Sequence, residues 1–207
     1  FFFNDTETNE IYTILFVGSV RMCIRDRCST TNVKICLVNH KRRFMTYNET
    51  VIKDLFKIIP QKGKVEWIGV RPSKKDELSA IHSVEVRVAT GLEGDHFKGN
   101  TSGKRQVTLI QLEHLKVVSD IMGRKQIDPK MTRRNIVVSG INLLSLKYRQ
   151  FRVGGVILMT TGICAPCKRM EDNLGTGGYN AMRGHGGITA KVIEGGNIKL
   201  GDNVEIV

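Results

Sequence analysis

A chain of 207 residues, 41% hydrophobic and 25% charged, is long enough for one domain with a buried core and too apolar for a disordered polymer. It has no run of about 18 apolar residues, which excludes the pattern of a membrane-spanning helix. Five cysteines, an odd number, do not suit a secreted disulfide framework and point to a reducing, cytoplasmic setting. The net charge is +12; residues 1–27 hold three arginines against four carboxylates and residues 28–44 four basic residues and no acid, which leaves +9 for residues 45–207. Such a balance fits a solvated basic surface, or a basic pocket for an anionic partner: a phosphate-bearing cofactor or nucleic acid. Aromatic residues are 6% and are not interleaved with the basic ones, which counts against nucleic acid as the partner.

Residues 1–44 show no clear period. The apolar piece "IYTILFVGSV" is preceded by acidic residues and followed by "RMCIRDR", which is not the layout of a signal peptide. "MCIRDR" can be encoded by ATG-TGT-ATA-AGA-GAC-AGG, which resembles a transposon end used in preparing sequencing libraries, and "FVGSVR" fits the adjoining adapter. Residues 1–27 therefore read as translated adapter in a metagenomic assembly, residues 28–44 as a leader read through, and Met45 as a natural start. This discounts Cys23, Cys28 and Cys36 and leaves Cys164 and Cys167.

From Met45 onward the elements follow in order. Val51, Ile52, Leu55, Ile58 and Ile59 have helical spacing over 48–59, with Asn48 or Thr50 as cap, and 45–63 reads as helix and linker. Strands are expected at 65–72, 82–90, 105–111 and 135–139, from alternation bounded by glycine or proline. Residues 91–104 read as a polar glycine-rich loop, "LEHLKVVSDIMG" as a short helix ending at Gly123, and 151–164 as a hairpin turning on Gly154–Gly155. The C-terminal segment holds two or three more strands. Many short strands with two or three short helices predict a mainly β fold, a barrel or sandwich, over residues 64–207.

"TTGICAPCKRMED" carries the sharpest chemistry. Cys164 and Cys167 suit a redox pair, half of a zinc site with His185 as a third ligand, an exposed nucleophile, or two small buried residues. No proline follows Pro166, whereas a thioredoxin centre needs one facing its thiols. Lys168 and Arg169 follow directly, and cations beside a thiol favour the thiolate, the nucleophile and metal ligand. Asp95 and His96, in the glycine-rich loop with Arg105 at its end, suit a proton-transfer pair. Arg133, Arg134 and Asn135 open a strand, where guanidinium groups can clamp phosphate or carboxylate. "GTGGYNAMRGHGGI" offers backbone amides, Arg183 and His185 to an anion but matches no nucleotide-binding motif. Each of these loops also reads, more plainly, as solvated surface.

Taken in order, "GLEGDHF", "GKRQVTLIQ", "RRNIVVSGINLL", "FRVGGVILMTTGICAPC" and "AMRGHGGITAKVIEGGNIKLGD" resemble the MOSC domain, the domain similar to the C-terminal part of molybdenum cofactor sulfurases, and most of all its small stand-alone bacterial members. The resemblance covers about residues 64–207. It implies a β-barrel-like fold with a few short helices, binding of molybdenum cofactor, and an essential cysteine that matches Cys167 better than Cys164. That cysteine would coordinate molybdenum or carry sulfur. The same resemblance implies a molybdenum-dependent oxidoreductase that reduces N-hydroxylated compounds with an external electron donor, a sulfur transferase fed by a donor protein, or a non-enzymatic sulfur or cofactor carrier. Pyridoxal phosphate attaches to the family only by description, and no lysine here has a Schiff-base setting. Arg105, Arg133, Arg134, Asn135, Arg183 and His185 would serve the cofactor, with Asp95 and His96 beside the thiolate.

Overall fold

The computed structural model describes residues 16–17, 20–21, 54–97 and 103–207. The chain divides into two compact units, Phe1–Leu55 and Phe56–Val207. In the first, β1 (Phe16–Val17) pairs antiparallel with β2 (Val20–Arg21). The rest of residues 1–44, with Cys23, Cys28 and Cys36, lies outside the described residues, so the expected leader is not described; most of the helix expected over 48–59 lies outside them too, and its residues 54–55 are helical.

Among the described residues the second unit has eleven strands: β3 (Gly63–Val70), β4 (Ser79–Ile81), β5 (Ser83–Arg87), β6 (Gly91–Leu92), β7 (Val107–Gln111), β8 (Ile136–Ser139), β9 (Gln150–Val153), β10 (Val156–Ile163), β11 (Ile188–Glu194), β12 (Gly196–Lys199) and β13 (Asn203–Ile206). Four helices join them: α1 (Leu112–Ile121), α2 (Pro129–Thr132), α3 (Lys168–Leu174) and α4 (Gly178–Ala181). No helix among the described residues is long and apolar enough to cross a membrane.

The mainly β expectation holds as a closed seven-stranded barrel. Strands β13, β9, β10, β11, β7, β8 and β3 follow one another, and β3 pairs back onto β13 through Lys64–Asn203 and Gly63–Val204. Closure removes the free edges that an open sheet would expose. Strand β4 extends β3, and β12, β5 and β6 form a second small sheet. The expected strands form with ends shifted by up to three residues, and the 151–164 hairpin turns on Gly154, at φ +55°. Strands β4 and β6 are too short to leave a pattern.

Two apolar layers hold the unit together. Inside the barrel lie Val65, Ile68, Leu109, Ile136, Val138, Phe151, Leu158 and Ile188, among others, all buried. Outside β7 and β8, Ile110 and Val137 pack with Leu115, Val118, Met170 and Leu174 from the helices and with Met182 just after α4. Strands β7 and β8 are therefore covered on both faces, which is why "VTLIQ" and "IVVS" read as near-continuous buried runs. They are also the barrel's parallel pair, joined by the crossover through α1 and α2. Each fully buried aliphatic side chain contributes about 1.5–3 kcal/mol.

Bulges interrupt two of the strand pairings. The β3–β8 register slips at Glu66, so Val65 and Ile68 both point inward while Trp67 turns to the outer layer. The β10–β11 register slips at Thr161, just before the cysteine loop, and the Thr161 hydroxyl bonds Lys104 O and Thr189. Pairing then runs on past the bulge to a Cys164 N–Gly187 O bond of 2.9 Å.

Candidate functional site

Five chain segments meet at one end of the outer layer: the end of β3 with Arg71, the loop after β6 with Asp95 and His96, the α2–β8 junction with Arg133 and Arg134, the end of β10 with Cys164, and the start of α3 with Cys167 and Arg169. Both cysteines are free; Cys167 is exposed and Cys164 partly buried. Cys167 caps α3 with extended backbone, and its carbonyl accepts from Met170 N at 2.8 Å.

Arg71 links the groups. Its backbone N–H donates to Asp95 Oδ1 at 3.2 Å and its Nε donates to His96 Nδ1 at 3.2 Å. That bond requires a neutral imidazole with its proton on Nε2. Asp95 Oδ2 lies 3.6 Å from the same Nδ1; the permanently protonated guanidinium, at the shorter distance, takes the lone pair. Burial lowers the His96 pKa, the Arg71 charge adds to that, and Asp95 opposes it. Burial also lowers Arg71, against the pull of Asp95 and with the push of Arg169 and Arg134. Arg71 Nη1 is buried and has no hydrogen-bond partner.

Arg133 sits in the left-handed region, φ 60° and ψ 32°, a conformation costing about 1–2 kcal/mol for a side chain with Cβ. Its Nη2 donates to Lys74 O at 2.8 Å, and Arg169 Nη1 reaches the same carbonyl at 3.3 Å. Burial lowers the Arg133 pKa and the charges of Arg71 and Arg169 lower it further, while Cys167 and Asp95 oppose this. Arg71 and Arg133 thus both lie within electrostatic reach of Cys167. The result is a thiol and one carboxylate set among arginines, a layout suited to an anionic ligand.

The other residues picked out from sequence fall in different places. Arg134 is buried, and its guanidinium donates to Gly186 O and Thr132 O, each at 2.8 Å, and to Cys164 O at 3.1 Å, so it ties the end of α2 to the cysteine loop and the Gly186 loop. Asn135 is buried between strands: its Oδ1 accepts from Thr108 Oγ1 at 2.7 Å and its Nδ2 donates to Gly69 O at 3.3 Å. Arg105 is exposed and acts electrostatically on Cys164, whose thiol is pushed up by burial against the pull of Arg134 and Arg105. Arg183 and His185 line a separate open groove with Met122, Thr176 and Asn180, and none of the cysteine-site residues lines it. His185 stacks edge-on against His114 at 5.0 Å. No three of His, Cys, Asp and Glu cluster as a metal site among the described residues, so the zinc arrangement of Cys164, Cys167 and His185 is not formed.

Sequence reasoning missed Arg71, and it placed Arg169 beside the thiol without showing its bond to the Lys74 carbonyl. Arg71 had a signal: an arginine at the exit of a strand, directly before Pro72. Nothing local pointed from it to His96, 25 residues on.

The barrel is similar to solved structures. The YuaD protein of Bacillus subtilis matches with a TM-score of 0.62 and 21% identity, over 72% of this chain and 97% of that one. YiiM of Geobacillus stearothermophilus matches with a TM-score of 0.58 and 15% identity, over 70% and 75%. YiiM of Escherichia coli matches with a TM-score of 0.54 and 16% identity, over 70% and 69%. No curated protein matches the chain in sequence. The MOSC domain model matches residues 85–205, more than half of the chain, and so takes in the Asp95–His96 loop, both arginines of the α2–β8 junction and the cysteine pair. The chain belongs to the MOSC domain family.

Proposed function

We propose that the site binds molybdenum cofactor, with Cys167 as the thiolate that ligates molybdenum or carries sulfur. The family is associated with that cofactor. What carries the reading for this chain is the buried, unpartnered Nη1 of Arg71 beside the exposed Cys167. Buried guanidinium donors nearly always have a partner, and an anionic ligand would supply it. A thiolate is in turn a suitable ligand for a high-valent metal.

The residues divide the work. Arg71, Arg133 and Arg169 would hold the anionic parts of the cofactor, with Arg105 facing Cys164. His96, kept neutral by burial and by the Arg71 charge, would hold a proton at Nε2, and Asp95 would anchor the loop through the Arg71 amide. Arg134 would keep the cysteine loop in place. When bound, the cofactor supplies two-electron redox chemistry, which matches reduction of N-hydroxylated compounds. Electrons or sulfur would come from an external donor protein in a cytoplasmic setting, where free thiols persist.

The test is elemental analysis for molybdenum, with pterin fluorescence, on the full chain expressed in a cofactor-competent host, wild type beside Cys167→Ala. Stoichiometric molybdenum that is lost in the variant supports a cofactor protein ligated through Cys167. Molybdenum absent from both, with persulfide on Cys167, turns the reading to a sulfur carrier. Molybdenum retained in full by the variant overturns the assignment of Cys167.

A further inference from the structure

The cysteine loop holds a second thiol to which the proposed function gives no task. Cys164 and Cys167 both lie near arginine charge but differ in exposure. Cys167 is exposed and faces arginine charge; Cys164 is partly buried at a strand end. The two lie within electrostatic reach of one another. Between them Ala165 is exposed and Pro166 has no amide proton to bond, so the span is anchored at its ends, by Cys164 N to Gly187 O and Met170 N to Cys167 O. Arg134 adds a third tie on the Cys164 carbonyl. One thiol is therefore presented for attack while the other is held in reserve, on a short link that can bring the sulfurs together.

We propose that Cys164 is the resolving thiol of Cys167, converting a hydroperoxide-oxidised Cys167 into a reversible Cys164–Cys167 disulfide. The Cys167 thiolate attacks the peroxide O–O bond and keeps one oxygen as sulfenic acid; hydroxide or alkoxide leaves with the bonding pair. Cys164 sulfur then attacks Cys167 sulfur, the S–S bond forms, the S–O bond breaks, and the Cys164 proton leaves with that oxygen as water. The two thiols lose two electrons and the peroxide gains them. Burial raises the Cys164 thiol, which keeps it from being the first to react, while Arg134 and Arg105 lend charge to the thiolate it must form. The disulfide would protect Cys167 from irreversible oxidation and switch the site off until a reductant restores it. The inference rests on Cys167 being the working thiolate, and its readout needs no bound cofactor.

The test is peptide mapping of the full chain after limited hydrogen peroxide, with free thiols then alkylated and the protein cut by trypsin. Residues 153–168 form one tryptic peptide containing both thiols and no other cysteine. In wild type that peptide should lose two hydrogens, resist alkylation and recover with dithiothreitol. In Cys164→Ser, and in Cys164→Ala as a second variant, Cys167 should gain two or three oxygens, severalfold more than in wild type, and not recover. Wild type that goes to sulfinic acid with Cys164 still alkylatable overturns the proposal, as does a Cys167 inert to peroxide. Disulfide formation without molybdenum binding would leave this inference standing and remove the cofactor reading; the reverse result would do the opposite.

Discussion

Arg71 Nε donates to His96 Nδ1 across 3.2 Å, joining the end of one strand to a loop 25 residues further on. The bond exists only while the imidazole is neutral, so protonation of His96 breaks it.

Burial lowers both His96 and His114, so each binds a proton less readily folded than unfolded. With the ordinary value at 6.5, their contribution to stability is complete above that pH and is lost as pH falls through the lower folded values. The melting temperature should therefore drop below about pH 6.5. His96→Gln and His114→Gln should each flatten that drop in thermal scans across pH, and an unchanged slope in both would contradict a burial-driven shift.

Arg134→Met should destabilise the protein by about 3 kcal/mol, because it leaves three carbonyls, on Thr132, Cys164 and Gly186, without their donor. Urea unfolding should show a lower midpoint with an unchanged slope. Alkylation of Cys164 should become faster as its loop loosens.

Arg133→Gly should separate binding from stability. Glycine relieves the left-handed strain, about 1–2 kcal/mol, but adds backbone freedom to the unfolded chain, so stability should stay within about 1 kcal/mol of wild type. Molybdenum cofactor retention should fall, since a guanidinium beside Cys167 is gone. Retention equal to wild type would remove Arg133 from the site.

Gly186→Ala and Gly184→Ala make a contrasting pair. A Cβ at Gly186 would sit 2.1 Å from Cys164 O and 3.2 Å from Arg134 Nη2, so the cysteine loop must shift. A Cβ at Gly184 meets nothing, and only its φ of +82° costs, about 1–2 kcal/mol. Cofactor retention should fall sharply in the first and hold in the second; equal retention would mean that the loop position does not matter.

The strands, the α1 helix and the Gly154–Gly155 hairpin were legible because alternation, helical spacing and turn residues are local properties of the chain. The exposed cysteine before two cations and the arginine pair opening a strand were legible as candidates for the same reason. What the bulges do was not. Simple alternation would place Val65 and Trp67 on one face, but the slip at Glu66 sends Trp67 to the outer layer, and only pairing with β8 creates that slip. Arg133, Arg134 and Asn135 look alike in sequence. Folded, Arg133 lies within electrostatic reach of Cys167, Arg134 spends its donors on three carbonyls, and Asn135 is a plug between strands.

By itself the sequence determined the mainly β class, the order of its strands and the residue types able to hold an anion and a thiolate. The tertiary structure alone decided barrel closure through Lys64 and Asn203, and the meeting of Arg71, His96, Arg133 and Cys167 at one place. Periodicity and turn chemistry act over a few residues, whereas partners dozens of residues apart are chosen by packing and pairing of the whole chain.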